Sequence, residues 1–140
     1  MGAWGDGVFE NDYAADWVAE FDELDDKAER RELIDSAFSE VAEEEEYVEV
    51  DVASAAVAAA ATVASLVPGG PAVDEAYGPK TLAELPVDVD ADLRRRASAA
   101  LRKVLDPESE WSELWDEGDG GDEARRVVTR LVEVLTPPSN

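Results

Sequence analysis

The chain has no cysteine and no histidine in 140 residues. Together these absences remove disulfides, zinc sites of the usual Cys/His kind, thiol nucleophiles and imidazole general bases. Lysine is almost as scarce: Lys27, Lys80 and Lys103 are the only three, and arginine supplies the rest of the 12 basic residues. Against them stand 35 acids, for a net charge of −23. Contact with a phosphate backbone needs basic groups to displace counterions, so direct nucleic-acid binding is disfavoured, and anionic membrane surfaces are disfavoured for the same reason. A long hydrophobic run is also missing. The best candidate, Val52 to Val67, is dominated by alanine and bounded by Asp51 and Pro68-Gly69-Gly70; it falls short of the roughly 20 residues that cross a bilayer. No basic region precedes an apolar stretch at the N-terminus, so no secretory leader is expected. These features together predict a cytoplasmic protein with neither a membrane nor a nucleic acid as partner.

Hydrophobic residues still make up 45% of the chain, enough for a core and too many for a disordered segment of this charge. A chain of this length fits one domain, which would bury about 70% of the surface its unfolded form exposes. The acids are spread through every segment rather than gathered in one tract. That distribution suits whole-surface adaptation to a salt-rich cytoplasm, where salt screens the mutual repulsion, better than a patch dedicated to one basic partner. Folding that strengthens as KCl rises to molar concentration is the corresponding expectation.

Apolar spacing reads as helix almost throughout. A first helix, capped by Asn11 or Asp12, places Tyr13, Trp17, Val18, Phe21 and Leu24 on one face. A second follows Asp26, with Glu29 three residues on and a buried stripe of Leu33, Ile34, Ala37, Phe38, Val41 and Ala42. Glu43 to Glu46 reads as a solvated run, and Tyr47 to Val52 as a loop that ends in Asp51 as a cap. The third helix, about Val52 to Leu66, is small and apolar on every side, which marks a central helix with neighbours on several faces. Pro68 to Pro86 is a long connector, with Tyr77, Leu82 and Leu85 as candidates to pin it.

A fourth helix from near Asp90 puts Leu93, Ala97, Ala100, Leu101, Val104 and Leu105 on one face and Arg94, Arg95, Arg96, Arg102 and Lys103 on the other. Asp106-Pro107 ends it, and Ser109 can cap a short fifth helix carrying Trp111, Leu114 and Trp115. After a turn over Gly118 to Asp122, a sixth runs from Asp122 through Val127, Val128, Leu131 and Leu135 to Pro137-Pro138. The reading is all-α: a single compact bundle of about five to six helices over residues 1–140, with the alanine-rich helix at its centre.

Few constellations carry chemistry. In the opening arm, Gly5 and Gly7 bracket Asp6, but Asp6, Glu10, Asp12 and Asp16 would repel a phosphate, and no Lys-Ser/Thr follows. The plainer reading is a tight turn that lets Trp4 and Phe9 plug into the bundle while Asn11 caps the helix. Partial exposure of Trp4 or Trp17 would instead make an interaction anchor. Asp116, Glu117, Asp119, Asp122 and Glu123 cluster around glycines, yet lack the alternating spacing of a calcium loop, and Asp122 serves better as a cap. The Arg94–Lys103 stripe reads first as intramolecular pairing with acids of neighbouring helices, and second as a docking face for an acidic partner or a second copy. No nucleophile motif, cofactor loop or metal-ligand set emerges.

The opening Met-Gly-Ala-Trp-Gly-Asp-Gly-Val-Phe-Glu-Asn-Asp resembles the start of domain-of-unknown-function family 4259, small prokaryotic proteins. Trp4, Gly5, Gly7, Phe9, Asn11, Asp12, Ala15, Asp16 and Trp17 match that pattern as they stand, and the likeness extends to the helix Ala53 to Leu66 and the piece Ser109 to Trp115. This sequence departs from it at Asp122-Glu123-Ala124-Arg125-Arg126, where such proteins look to carry a further Trp. The resemblance implies a small stand-alone helical protein and supplies no catalytic residue. The functional expectation is a non-enzymatic, protein-binding or regulatory protein, immunity-like or antitoxin-like. Its candidate interaction residues are Trp4, Asp6, Phe9, Asn11, Asp12, Asp16, Trp17, Trp111 and Trp115. The competing class is a metal-assisted or carboxylate-based hydrolase using Asp6, Asp12 and Asp16.

Overall fold

The computed structural model describes residues 12–43, 48–67, 87, 89–106 and 121–136. Within them the chain forms five helices: α1 (Asp12–Glu23), α2 (Lys27–Glu43), α3 (Val50–Ser65), α4 (Ala91–Val104) and α5 (Gly121–Leu135). There is no strand among the described residues. The short helix expected around Trp111 and Trp115, the connector from Pro68 to Pro86 and the first 11 residues of the opening arm lie outside them.

α3 is the element the others share. It packs against α1, α2, α4 and α5. The reason lies in its side chains: Ala53, Ala56, Ala58, Ala59, Ala60 and Ala64 are fully buried, and nothing on that buried surface exceeds valine or threonine in size. With only methyl groups between them, neighbouring backbones approach closely, where larger side chains would hold the axes apart. Buried Thr62 and half-buried Ser65 on α3 are satisfied within the helix. Thr62 Oγ1 donates to the Ala58 carbonyl at 2.9 Å, and Ser65 Oγ to that of Thr62 at 2.7 Å.

The joint between α1 and α2 is tight. Asp26 accepts from the Ala28 and Glu29 amides at 2.7 and 3.2 Å, satisfying two of the free donors at the start of α2. Arg30, expected on no buried face, is only 2% exposed. Its Nε donates to the Leu24 carbonyl at 2.9 Å, and its guanidinium lies 4.6 Å from the Phe21 ring centroid. Phe21 in turn stacks on Trp17 at 5.3 Å. One cation thus closes the turn and covers the end of an aromatic stack.

The basic face of α4 is a set of seams. Arg94 donates from Nε and Nη2 to the Leu135 and Val134 carbonyls at 3.3 and 3.0 Å, supplying partners and a positive charge to the C-terminal end of α5. Arg96 reaches the other way, to Asp35 at 2.7 Å and Ser39 at 3.1 Å on α2. Lys103 Nζ donates to the Ala42 carbonyl at 3.1 Å, and Arg102 reaches Thr136 at 3.4 Å. Arg31 bridges Asp35 and Asp90 at 3.4 and 3.6 Å. Intramolecular pairing is therefore the observed role of this stripe, although the carbonyls of Ala42, Val134 and Leu135 serve as partners beside the expected acids.

Several boundaries and faces differ from the sequence reading. α3 begins at Val50 with Glu49 as its extended N-cap residue, so Asp51 is not the cap; it sits in the first turn, where its Oδ1 accepts from the Val52 amide at 2.9 Å. Val48 is buried, 3% exposed, and anchors the chain before the helix, which lets winding start earlier than the acid would dictate. α5 begins at Gly121, so Asp122 lies inside it rather than capping it. Tyr13 and Ala42, assigned to buried stripes, are exposed. They lie in the first turn of α1 and the last turn of α2.

At the start of α4, Asp90 accepts from the Leu93 amide at 2.8 Å. That bond, with the charge of Arg31 also contributing, holds its carboxyl below the ordinary value of 3.8. A carboxylate depressed in the folded state contributes stability that is present above the unfolded value and is lost as pH falls through the folded one. Asp90→Asn keeps the cap but loses the charge. Urea midpoints from about pH 6 to about pH 3 should therefore fall less steeply for the variant than for the native chain; parallel curves would show that Asp90 has no part in the acid response.

Candidate groove between α1, α2 and α3

Both α1 and α2 pack along α3, yet their backbones make little contact with each other. The space left between them is an open groove of about 410 Å³. From α1 it takes Tyr13, Asp16, Trp17 and Glu20; from α2, Leu33, Ser36, Ala37 and Glu40. Each set has the spacing i, i+3, i+4, i+7, so each helix turns one continuous edge to the groove for about 10 Å. α3 contributes Asp51 and Ala55.

The chemistry of the lining is graded. Ala37 and Trp17 are buried at the bottom, Leu33 and Ala55 are half-buried, and Asp16, Glu20, Ser36, Glu40 and Asp51 are exposed around the rim. Tyr13 stands at one lip, 47% exposed, and is the one large apolar side chain so left among the described residues. Trp17 is 6% exposed, and its indole Nε1 is enclosed without an acceptor among the described residues. A buried donor in that state costs about 1–3 kcal/mol relative to one that is paired.

Of the residues singled out from sequence, the structure brings Asp16 and Trp17 together in this groove. Asp12 is the first residue of α1. Trp4, Asp6, Phe9, Asn11, Trp111 and Trp115 lie outside the described residues. The sequence reading missed Tyr13, Glu20, Glu40 and Asp51 as neighbours. A partial signal was available, since Asp16 and Glu20 interrupt the apolar stripe of α1 at helical spacing. Among the described residues no three acids converge as a metal-holding group.

A second groove, about 340 Å³, runs between α2 and α4 past Phe38, Ala42, Ala99 and Ala100, with Arg96 and Lys103 at its edges. Both cations there serve the interhelical seams described above. No helix among the described residues is long and apolar enough to cross a membrane.

Residues 2–127 match the family described as Domain of unknown function (DUF4259). The chain belongs to that family. Comparison with curated proteins and with solved structures finds no match. Membership of DUF4259 assigns no reaction.

The unsatisfied indole has a measurable consequence. Trp17→Phe removes the donor along with some apolar area, two opposing effects of similar size, and should change stability by less than about 1 kcal/mol. Trp17→Ala should cost about 3–5 kcal/mol through the cavity it leaves. Chemical denaturation of both variants checks this; equal losses would mean that the N–H makes a bond that matters.

Proposed function

We propose that this DUF4259 protein is a non-enzymatic binding or regulatory protein that acts by holding a segment of another protein in the groove between α1, α2 and α3. The observation that supports this most is Tyr13, a large aromatic side chain exposed at the lip of a groove with an apolar floor. Exposed aromatic groups beside a desolvated floor are where binding energy concentrates in protein interfaces. The missing histidine, cysteine and nucleophile motifs point the same way.

The acidity has a separate role in this reading. Its spread over the whole chain suits a salt-rich cytoplasm, the compartment in which the protein is proposed to work. Binding must then survive molar salt, where the screening length falls to about 3 Å and only close contacts count. An apolar floor meets that requirement.

Site-specific photo-cross-linking in molar KCl tests the proposal. A photoreactive residue at Ser36, inside the groove, should yield a discrete adduct with one protein in native lysate, whereas the same residue at Thr129, exposed on α5, should yield none. Matching adduct patterns from the two positions, or no adduct from Ser36, would contradict it.

A further inference from the structure

Resting on that reading of the groove, we infer that its occupant is a cationic amphipathic segment of a protein, with lysine or arginine side chains flanking an apolar one. Four carboxylates from three different helices, those of Asp16, Glu20, Glu40 and Asp51, line the groove, and no cationic side chain among the described residues does. The groove between α2 and α4 has the opposite character, with Arg96 and Lys103 at its edges. Local charge therefore differs between these two grooves, and of the pair the first is the one matched to a cation.

The type of cation follows from the other two lining features. Exposed Tyr13 offers a ring face to an ammonium or guanidinium group, an attraction that adds to the carboxylates. A bare metal ion or a polyamine brings positive charge but no apolar side chain, whereas a peptide segment can carry both. The half-buried Leu33 and Ala55 and the buried Ala37 call for apolar surface between the charges. The i, i+3, i+4, i+7 edges run about 10 Å, the length of two turns of a docked helix.

Long-range attraction from a net charge of −23 would steer any cation toward the protein in dilute salt. Screening removes that general effect in molar salt and leaves the groove contacts. The two regimes separate specific from non-specific binding.

The test uses the full chain and three labelled helical peptides, followed by fluorescence anisotropy in dilute and in molar KCl. One peptide is Lys/Leu amphipathic, one is its Glu/Leu counterpart, and one is a Lys/Ser peptide of the same charge without apolar side chains. The Lys/Leu peptide should bind in both salts, the Lys/Ser peptide only in dilute salt, and the Glu/Leu peptide in neither. Tyr13→Ala and the pair Asp16→Asn with Glu20→Gln should each weaken Lys/Leu binding in molar salt by about tenfold or more. Neutralising exposed acids elsewhere, Asp92→Asn with Glu133→Gln, should change it by less than about twofold. Equal weakening by the two neutralised pairs, or failure of the Lys/Leu peptide to bind in molar salt, overturns the inference. Equal binding of the Lys/Leu and Glu/Leu peptides overturns the preference for a cation while leaving a protein-binding groove in place.

Discussion

The close approach of four helices to the alanine face of α3 is the constraint on which the rest of the structure depends. Alanine buries little apolar area per residue, so α3 contributes less through its own side chains than a leucine-rich helix would. What it allows is contact between backbones and the side chains of its neighbours at short range, where many small dispersion terms accumulate. Alanine also has the most favourable helix propensity, so α3 needs no side-chain cap at Glu49 to form. Its central position has a second effect: α1 and α2 each pack on α3 more than on each other, and the groove is the space between them.

Scarce cations are placed where helices meet. Arg30 closes the α1–α2 turn, Arg31 links α2 to the start of α4, Arg96 and Lys103 tie α4 to α2, and Arg94 ties α4 to the end of α5. Exposed ion pairs contribute little individually, and salt weakens them further. Arg30, Arg94 and Lys103 instead donate to backbone carbonyls, contacts that fix geometry and that satisfy groups the fold would otherwise leave unpaired. Arginine suits this use, because its planar fork can address two acceptors at once, as Arg94 and Arg96 both do. With these cations drawn inward, the groove rim is left to carboxylates.

The parts of this architecture governed by local rules can be read from the sequence. Period-3.6 apolar spacing marks the five described helices, and Asp26 and Asp90 cap as a short acidic side chain before an apolar stripe should. The all-alanine surface of α3 identifies the central helix, because only burial on several faces explains it. What local pattern does not carry is the consequence of packing. Arg30 is buried because Leu24 and Phe21 are brought against it by the turn, and no spacing rule marks an arginine as internal. Tyr13 has the right period for the core, yet it stands 47% exposed at the groove lip, which its spacing does not reveal. The groove depends on two helices being kept apart by a third, so its lining becomes adjacent only in the folded chain. Asp16 and Trp17 were recognisable as unusual from sequence, while their partners Glu40 and Asp51 were not.

If α3 organises the bundle, its backbone amides should be the last to open, because their exchange requires the four surrounding helices to separate. Native-state hydrogen exchange followed residue by residue measures this directly. Amides from Ala56 to Ala64 should exchange most slowly among the described helices, at rates set by global unfolding. Exchange there as fast as in α1 or α5 would contradict it.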